Sequence, residues 1–121
     1  MSLTKIAAKV FMPRQRQLEQ YVNSAEALQH KVLKYLLQQG ANTEYGRKYS
    51  MAKARGYDDF SQCVPVNTYE ELKYDIDRMR RGEQNVLWPG TVKWFAKSSG
   101  TTNDKSKFIP VSHDGLHNRI P

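Results

Sequence analysis

The 121 residues hold one cysteine, Cys63, so no disulfide can close within the chain. That fits a reducing compartment, and the cytoplasm is the expected location. Cys63 stands just before Val64-Pro65-Val66 with no base in evidence, so a half-buried structural thiol is expected rather than a nucleophile. Long apolar runs are missing as well. Ile6-Ala7-Ala8 and Val32-Leu33 fall far short of the roughly 20 apolar residues of a membrane-crossing helix. Lys9 interrupts Ile6-Ala7-Ala8 before a signal-peptide core can form, so no membrane partner is expected. Histidine is scarce. His113 and His117 are four apart, as in a zinc-binding helix, but Gly115 weakens such a helix and no third ligand follows. No metal ligand is therefore assigned, and His30 is expected at the surface of the first helix. Neither an internal repeat nor a low-complexity tract occurs.

What is present is a globular composition, with 39% hydrophobic and 26% charged residues. Nineteen Lys and Arg against twelve Asp and Glu leave a net charge of +7. Such a balance suits a nucleic-acid or other anionic surface, and also a basic piece of a larger domain.

Helical periodicity is the strongest signal. From about Pro13 to Gln39, Leu18, Tyr21, Val22, Ala25, Leu28, Val32, Tyr35 and Leu36 recur at spacings of one, three and four. They predict one amphipathic helix with a continuous apolar stripe. Pro13 suits its first turn, and Gly40 is expected to end it as a left-handed cap. Residues 41 to 67 read as irregular, with short helical turns and Tyr45, Tyr49, Tyr57 and Phe60 as aromatic anchors. A second helix is predicted after Thr68. Thr68 and Glu71 have capping-box spacing, Tyr69, Leu72, Ile76 and Met79 follow at helical intervals, and Gly82 stops the helix. Arg78, Arg80 and Arg81 are expected to form a solvated helix end that suits the helix dipole.

Strand signals come next. Trp88-Pro89-Gly90 predicts a turn. Thr91 to Lys97 alternates, with Val92, Trp94 and Ala96 on one face and Lys93, Phe95 and Lys97 on the other. Phe108 to Val111 predicts a second short strand, which Pro110 restricts to an edge or a limited ladder.

Between the strands lies Lys97-Ser98-Ser99-Gly100-Thr101-Thr102-Asn103-Asp104-Lys105-Ser106-Lys107. A phosphate needs several donors at close range and some positive charge. Ser98, Ser99, Thr101 and Thr102 offer hydroxyls, Gly100 lets backbone N–H groups approach, and Lys105 or Lys107 brings charge. Gly100, four residues and Lys105-Ser106 nearly spell a P-loop. The second glycine is missing, however, and a strand follows where a P-loop opens a helix.

Phe95-Ala96-Lys97-Ser98-Ser99-Gly100-Thr101-Thr102, with Lys107-Phe108-Ile109-Pro110-Val111 soon after, resembles the ATP-binding signature of the Gretchen Hagen family. These are acyl-acid amido synthetases of the adenylate-forming superfamily. Asn42 to Tyr49, Phe60 to Pro65 and Tyr69-Glu70-Glu71-Leu72 resemble the family's N-terminal region in the same order. The likeness thus covers nearly the whole chain up to Ser112. It implies activation of a carboxylic acid by ATP, with release of pyrophosphate, then acyl transfer to an amino acid. It also implies that Ser98, Ser99, Gly100, Thr101, Thr102 and Lys107 hold the nucleotide phosphates, with Mg2+ sharing their charge. Asn103-Asp104 occupy a stretch where many relatives carry a glycine, and the sequence after Ser112 fits less well.

The expected fold class is mixed α/β: two main helices, then a strand–phosphate loop–strand unit. Residues 1–121 are expected to be an incomplete N-terminal portion of an adenylate-forming domain, helical over 1–82 and strand–loop–strand over 91–112. The acyl pocket, adenine site, magnesium ligand and amine site then lie beyond Pro121. The chain alone is not expected to run the reaction, and no catalytic residue is assigned. The alternative is a small basic nucleic-acid-binding or interaction module, in which residues such as Arg47, Lys48, Lys53, Arg55, Arg78, Arg80 and Arg81 line a phosphate backbone. No recognised nucleic-acid motif supports it.

Overall fold

Asn23 and Ser24 have only modest helix propensity. The structure, a computed structural model, describes residues 12, 15–19, 21–100 and 105–117. Residues 15–19 and 21–23 are helical, but Ser24 leaves the helical region at φ −142° and ψ 31°, and helix α1 runs Ala25–Gly40. The single continuous helix expected from Pro13 to Gln39 is therefore broken, and its start at Pro13 lies outside the described residues. Leu18, Tyr21 and Val22 of the expected stripe are exposed, whereas Leu37 near the end of α1 is buried.

Gly40 ends α1 for a different reason than the expected left-handed cap. The capping residue is Ala41, right-handed at φ −55° and ψ −32°, whose N–H donates to Leu37 O at 2.9 Å. What the glycines provide is a tight corner. The Gly40 carbonyl accepts from Thr43 N at 3.0 Å and from Thr43 Oγ1 at 2.7 Å. Thr43 is itself buried, and its oxygen accepts from Gly46 N at 2.9 Å, capping helix α2 (Glu44–Lys48). A Cβ on Gly46 would stand 1.9 Å from Gly40 O, so no other residue fits that crossing.

The segment expected to be irregular does fold into short turns: a 3-10 turn at Met51–Lys53 and helix α3 (Tyr57–Cys63). Tyr45 and Tyr49 anchor it, their rings 4.7 Å apart, and Phe60 is half-buried. Tyr57 is no anchor, being exposed at the start of α3. Cys63 is a free, half-buried thiol.

Helix α4 (Tyr69–Arg80) begins with the expected capping box. Thr68 N donates to Glu71 Oε2 at 2.6 Å, and Glu71 N returns to Thr68 Oγ1 at 3.4 Å. The same bonds hold the Glu71 carboxyl below its usual range, the backbone bond from Thr68 contributing most. At the other end Gly82 is left-handed at φ 94°. Gly82 N reaches Met79 O at 3.0 Å and Glu83 N reaches Arg78 O at 3.1 Å, the paired bonds of a Schellman end.

Residues 85–90 close on themselves, Asn85 N donating to Gly90 O at 3.1 Å and Gly90 N to Asn85 Oδ1 at 2.7 Å. The amides opening α2 bond the Asn85 and Val86 carbonyls at 2.8 and 3.1 Å, which fixes this loop against α2. Met79, Val86 and Val92 form the buried cluster, with Leu87, Trp88 and Phe95 packed on it.

Two strands follow, β1 (Trp94–Lys97) and β2 (Phe108–Val111), paired antiparallel with Trp94 opposite Val111 and Lys97 opposite Phe108. The first begins three residues later than the expected Thr91. Val92 therefore lies outside the strand, and the face assignment fails. Phe95 packs on the core with Val92, while Trp94 is 58% exposed. Pro110, which has no N–H to give, sits opposite Phe95 in a sheet of two strands. Helix α5 (His113–Leu116) closes the described chain, with Ser112 Oγ accepting from Gly115 N at 3.1 Å. Tyr35 of α1 donates to Asp114 Oδ2 at 2.9 Å, a bond spanning 79 positions. The architecture is helix-rich with one small antiparallel hairpin.

Candidate functional site

Antiparallel pairing of β1 and β2 forces residues 98 and 107 to face each other as the ladder runs out. Ser98 N donates to Lys107 O at 2.9 Å, and Lys107 N donates to Ser98 Oγ at 3.0 Å. The serine hydroxyl thus extends the ladder by one side-chain bond and closes the neck of the hairpin. Because its oxygen accepts here, its own O–H remains to donate elsewhere.

Helix α4 braces the same neck. The Tyr69 hydroxyl accepts from Phe108 N at 2.9 Å, and the Lys107 ammonium lies 5.6 Å from the Tyr69 ring centre. At the far end of α4 the Arg80 guanidinium stacks 3.6 Å from the Phe108 ring centre. Tyr69 and Arg80 are eleven positions apart, which on an α-helix is three turns plus roughly 20° of rotation. One face of α4 therefore grips the residue that opens β2.

Of the residues expected to hold phosphates, Ser98 and Lys107 are brought into direct contact. Ser99 and Gly100 continue from the neck as exposed loop, as does Lys105 on the returning side. Thr101 and Thr102, with Asn103 and Asp104, lie outside the described residues. The arrangement sets two exposed backbone positions, a serine hydroxyl and a lysine ammonium at one end of a hairpin. That donor set fits an anionic oxygen ligand.

Sequence reasoning missed Tyr69 and Arg80 as partners of this hairpin. Their shared face was present as a spacing, but nothing local says that the face meets β2. Arg78 is a correction of another kind. Expected in a solvated helix end, it instead bonds Glu44 through Nη1 at 2.7 Å and Nη2 at 2.9 Å, Glu83 through Nε at 2.8 Å and Asp75 at 3.2 Å. Its side chain is only 18% exposed. These bonds push the Arg78 guanidinium further above its already high range, those from Glu44 contributing most, and hold the Glu44 carboxyl below the usual carboxylate range. Arg80 pairs with Asp77 at 3.3 Å and Lys48 lies 5.1 Å from the Tyr49 ring centre. Several cations that a nucleic-acid surface needs are thus spent on internal partners.

Elsewhere, His113 and His117 stack with ring centres 4.3 Å apart, and among the described residues no group of three His, Cys, Asp or Glu is placed to hold a metal. His30 is exposed beside Glu26, as expected. A groove of about 530 Å³ between the end of α1 and the 3-10 turn, lined by Leu37, Ala41, Met51 and Arg55, shares no residue with the hairpin neck. No helix among the described residues is long and apolar enough to cross a membrane.

Comparison with known proteins gives the family. A family model described as the GH3 family N-terminal domain matches residues 14–121. A probable indole-3-acetic acid-amido synthetase, GH3.1 of Arabidopsis thaliana, is 31% identical over 105 residues, covering 86% of this chain and 18% of the relative. Another indole-3-acetic acid-amido synthetase of that plant, GH3.15, is 32% identical over 104 residues, covering 85% of this chain and 17% of the relative. The jasmonoyl–L-amino acid synthetase JAR6 of Nicotiana attenuata is 29% identical over 99 residues, covering 81% and 17%. The chain thus spans less than a fifth of the length of these curated relatives. With a match running from residue 14 to 121 and the serine-rich hairpin inside it, the chain belongs to the GH3 family.

Proposed function

We propose that this chain supplies the phosphate-binding hairpin of an ATP-dependent acyl-acid amido synthetase. The observation that carries the reading is the reciprocal Ser98–Lys107 pair, which closes a loop rich in hydroxyls and sets a lysine beside it. The names of the relatives support the reaction class: amido synthetases acting on indole-3-acetic acid and a jasmonoyl–amino acid synthetase.

In this reading a carboxylate oxygen bonds to the α-phosphorus of ATP as the bond to pyrophosphate breaks, and the amine of an amino acid then takes the acyl group as AMP leaves. The residues of this chain work by position and charge. The Ser98 O–H, the Ser99 hydroxyl and the Gly100 N–H donate to phosphate oxygens, and Thr101 and Thr102 belong to the same set. Lys107 offsets negative charge where pyrophosphate departs. Such donors act because they are fixed before the charge develops, so little reorganisation is needed at the barrier. Magnesium, when bound, would share the negative charge of the phosphate oxygens.

The test is exchange of labelled pyrophosphate into ATP by the native polypeptide carrying these residues, with and without a carboxylic acid. Exchange that depends on the acid is expected, and Lys107→Met should lower it by about 10²-fold, the usual cost of losing one charge-stabilising donor. Acid-dependent exchange of equal rate in wild type and Lys107→Met would remove the loop from the mechanism.

A further inference from the structure

A lysine on a flexible four-carbon stem at the mouth of a loop has many positions open to it, and phosphate binding requires that few of them be occupied. Three contacts restrict this one. The Lys107 backbone is tied on one side to Ser98 through N at 3.0 Å and O at 2.9 Å. The next amide, Phe108 N, is tied on the other side to the Tyr69 hydroxyl at 2.9 Å. The ammonium itself rests 5.6 Å from the Tyr69 ring centre. Tyr69 is half-buried at the first turn of α4, inside the Thr68–Glu71 capping box that fixes where this helix begins.

We infer that Tyr69 is a positioning residue for Lys107. Its hydroxyl sets the backbone that carries the lysine, and its ring holds the ammonium near the neck of the hairpin. The inference rests on the phosphate reading of the loop and adds to it a residue from a separate element. The chemistry asks for both halves of tyrosine: phenylalanine keeps the ring but loses the acceptor, and leucine loses both. Arg80, stacked on the Phe108 ring from the same face of α4, steadies the other side of that residue.

The experiment uses the native polypeptide with MgATP as titrant, reading Kd by calorimetry and Phe108 amide exchange by hydrogen–deuterium exchange. Lys107→Met should weaken MgATP about tenfold, as loss of a charge-assisted contact does. Tyr69→Phe should speed Phe108 exchange and weaken MgATP about twofold. Tyr69→Leu should weaken it a further threefold or so, the scale of one exposed cation–π contact. With Lys107→Met in the background, the difference between the leucine and phenylalanine variants should vanish, which a purely structural role for the ring does not predict. The inference is overturned if leucine and phenylalanine bind MgATP equally while Lys107 is present, or if their difference survives its removal. Should Tyr69→Leu fail to fold, Tyr69→Phe decides alone: unchanged Phe108 exchange and unchanged Kd overturn it. A wild-type Kd in Lys107→Met brings down the phosphate reading, and this inference with it. A weakened Lys107→Met beside unaffected Tyr69 variants brings down the inference alone.

Discussion

Arg78 holds Glu44 through both terminal guanidinium nitrogens, Nη1 to Oε2 at 2.7 Å and Nη2 to Oε1 at 2.9 Å, tying the end of α4 to the start of α2. Two-point geometry of this kind is available to arginine and not to lysine. Hydrogen bonding from Arg78 keeps the Glu44 carboxyl ionised below its ordinary range. A carboxyl depressed on folding stabilises the protein above its unfolded value, and that contribution fades as pH falls through the lower folded value.

The first prediction follows from that sign. Thermal melts should show Tm falling as pH drops below about 4.3, the unfolded glutamate value. Arg78→Met should lower Tm at neutral pH by several degrees and flatten the acid decline. Parallel acid curves for wild type and variant would mean that the pair carries no linkage.

At the alkaline end the sign reverses. The hydrogen bond from Tyr35 to Asp114, with burial and the aspartate charge behind it, raises the Tyr35 phenol above its ordinary value. A phenol raised on folding stabilises below its unfolded value of about 10, and the contribution is lost as pH rises through the higher folded value. Tyr35→Phe should therefore remove part of the fall in Tm above pH 10, and α5 should exchange its amides faster at every pH.

Gly46 permits α2 to cross the end of α1, with the Gly40 carbonyl where a side chain would begin. The obstacle is backbone, which cannot swing aside. Gly46→Ala should destabilise by about 3 kcal/mol or more, the upper range of overpacking, measured by urea unfolding. Gly82 offers a contrast, since nothing stands near its missing Cβ and only its φ of 94° demands glycine. Gly82→Ala should cost about 1–2 kcal/mol.

Met79 is 2% exposed at the centre of the small core beside Val86 and Val92. Met79→Ala should cost about 2–5 kcal/mol. Because Phe95 of β1 packs on the same cluster, the variant should also loosen the hairpin, read as faster exchange at Phe95 and Ala96.

Local signals were legible wherever the chemistry is local. The Thr68–Glu71 box, the Gly82 stop and the Phe108–Val111 strand all depend on neighbours within a few positions. Long-range events were not. The break at Ser24 was hidden because apolar spacing continues across it. The reach of Arg78 to Glu44 crosses 34 positions, so a helix-end arginine read as solvated turned out to be a fastener. Val92 and Trp94 were set on one face because strict alternation was extended to residues that precede the strand. The Tyr69 contact to Phe108 crosses 39 positions and could be found only once α4 was seen against the hairpin.

The central claim is that nucleotide phosphates rest on the loop between β1 and β2. Amide exchange across the native polypeptide, with and without MgATP, tests it most directly. Slowed exchange at Ser98, Ser99, Gly100, Lys107 and Phe108, weaker with AMP than with ATP, is the predicted result. MgATP binding that leaves these amides unchanged while protecting others would contradict it.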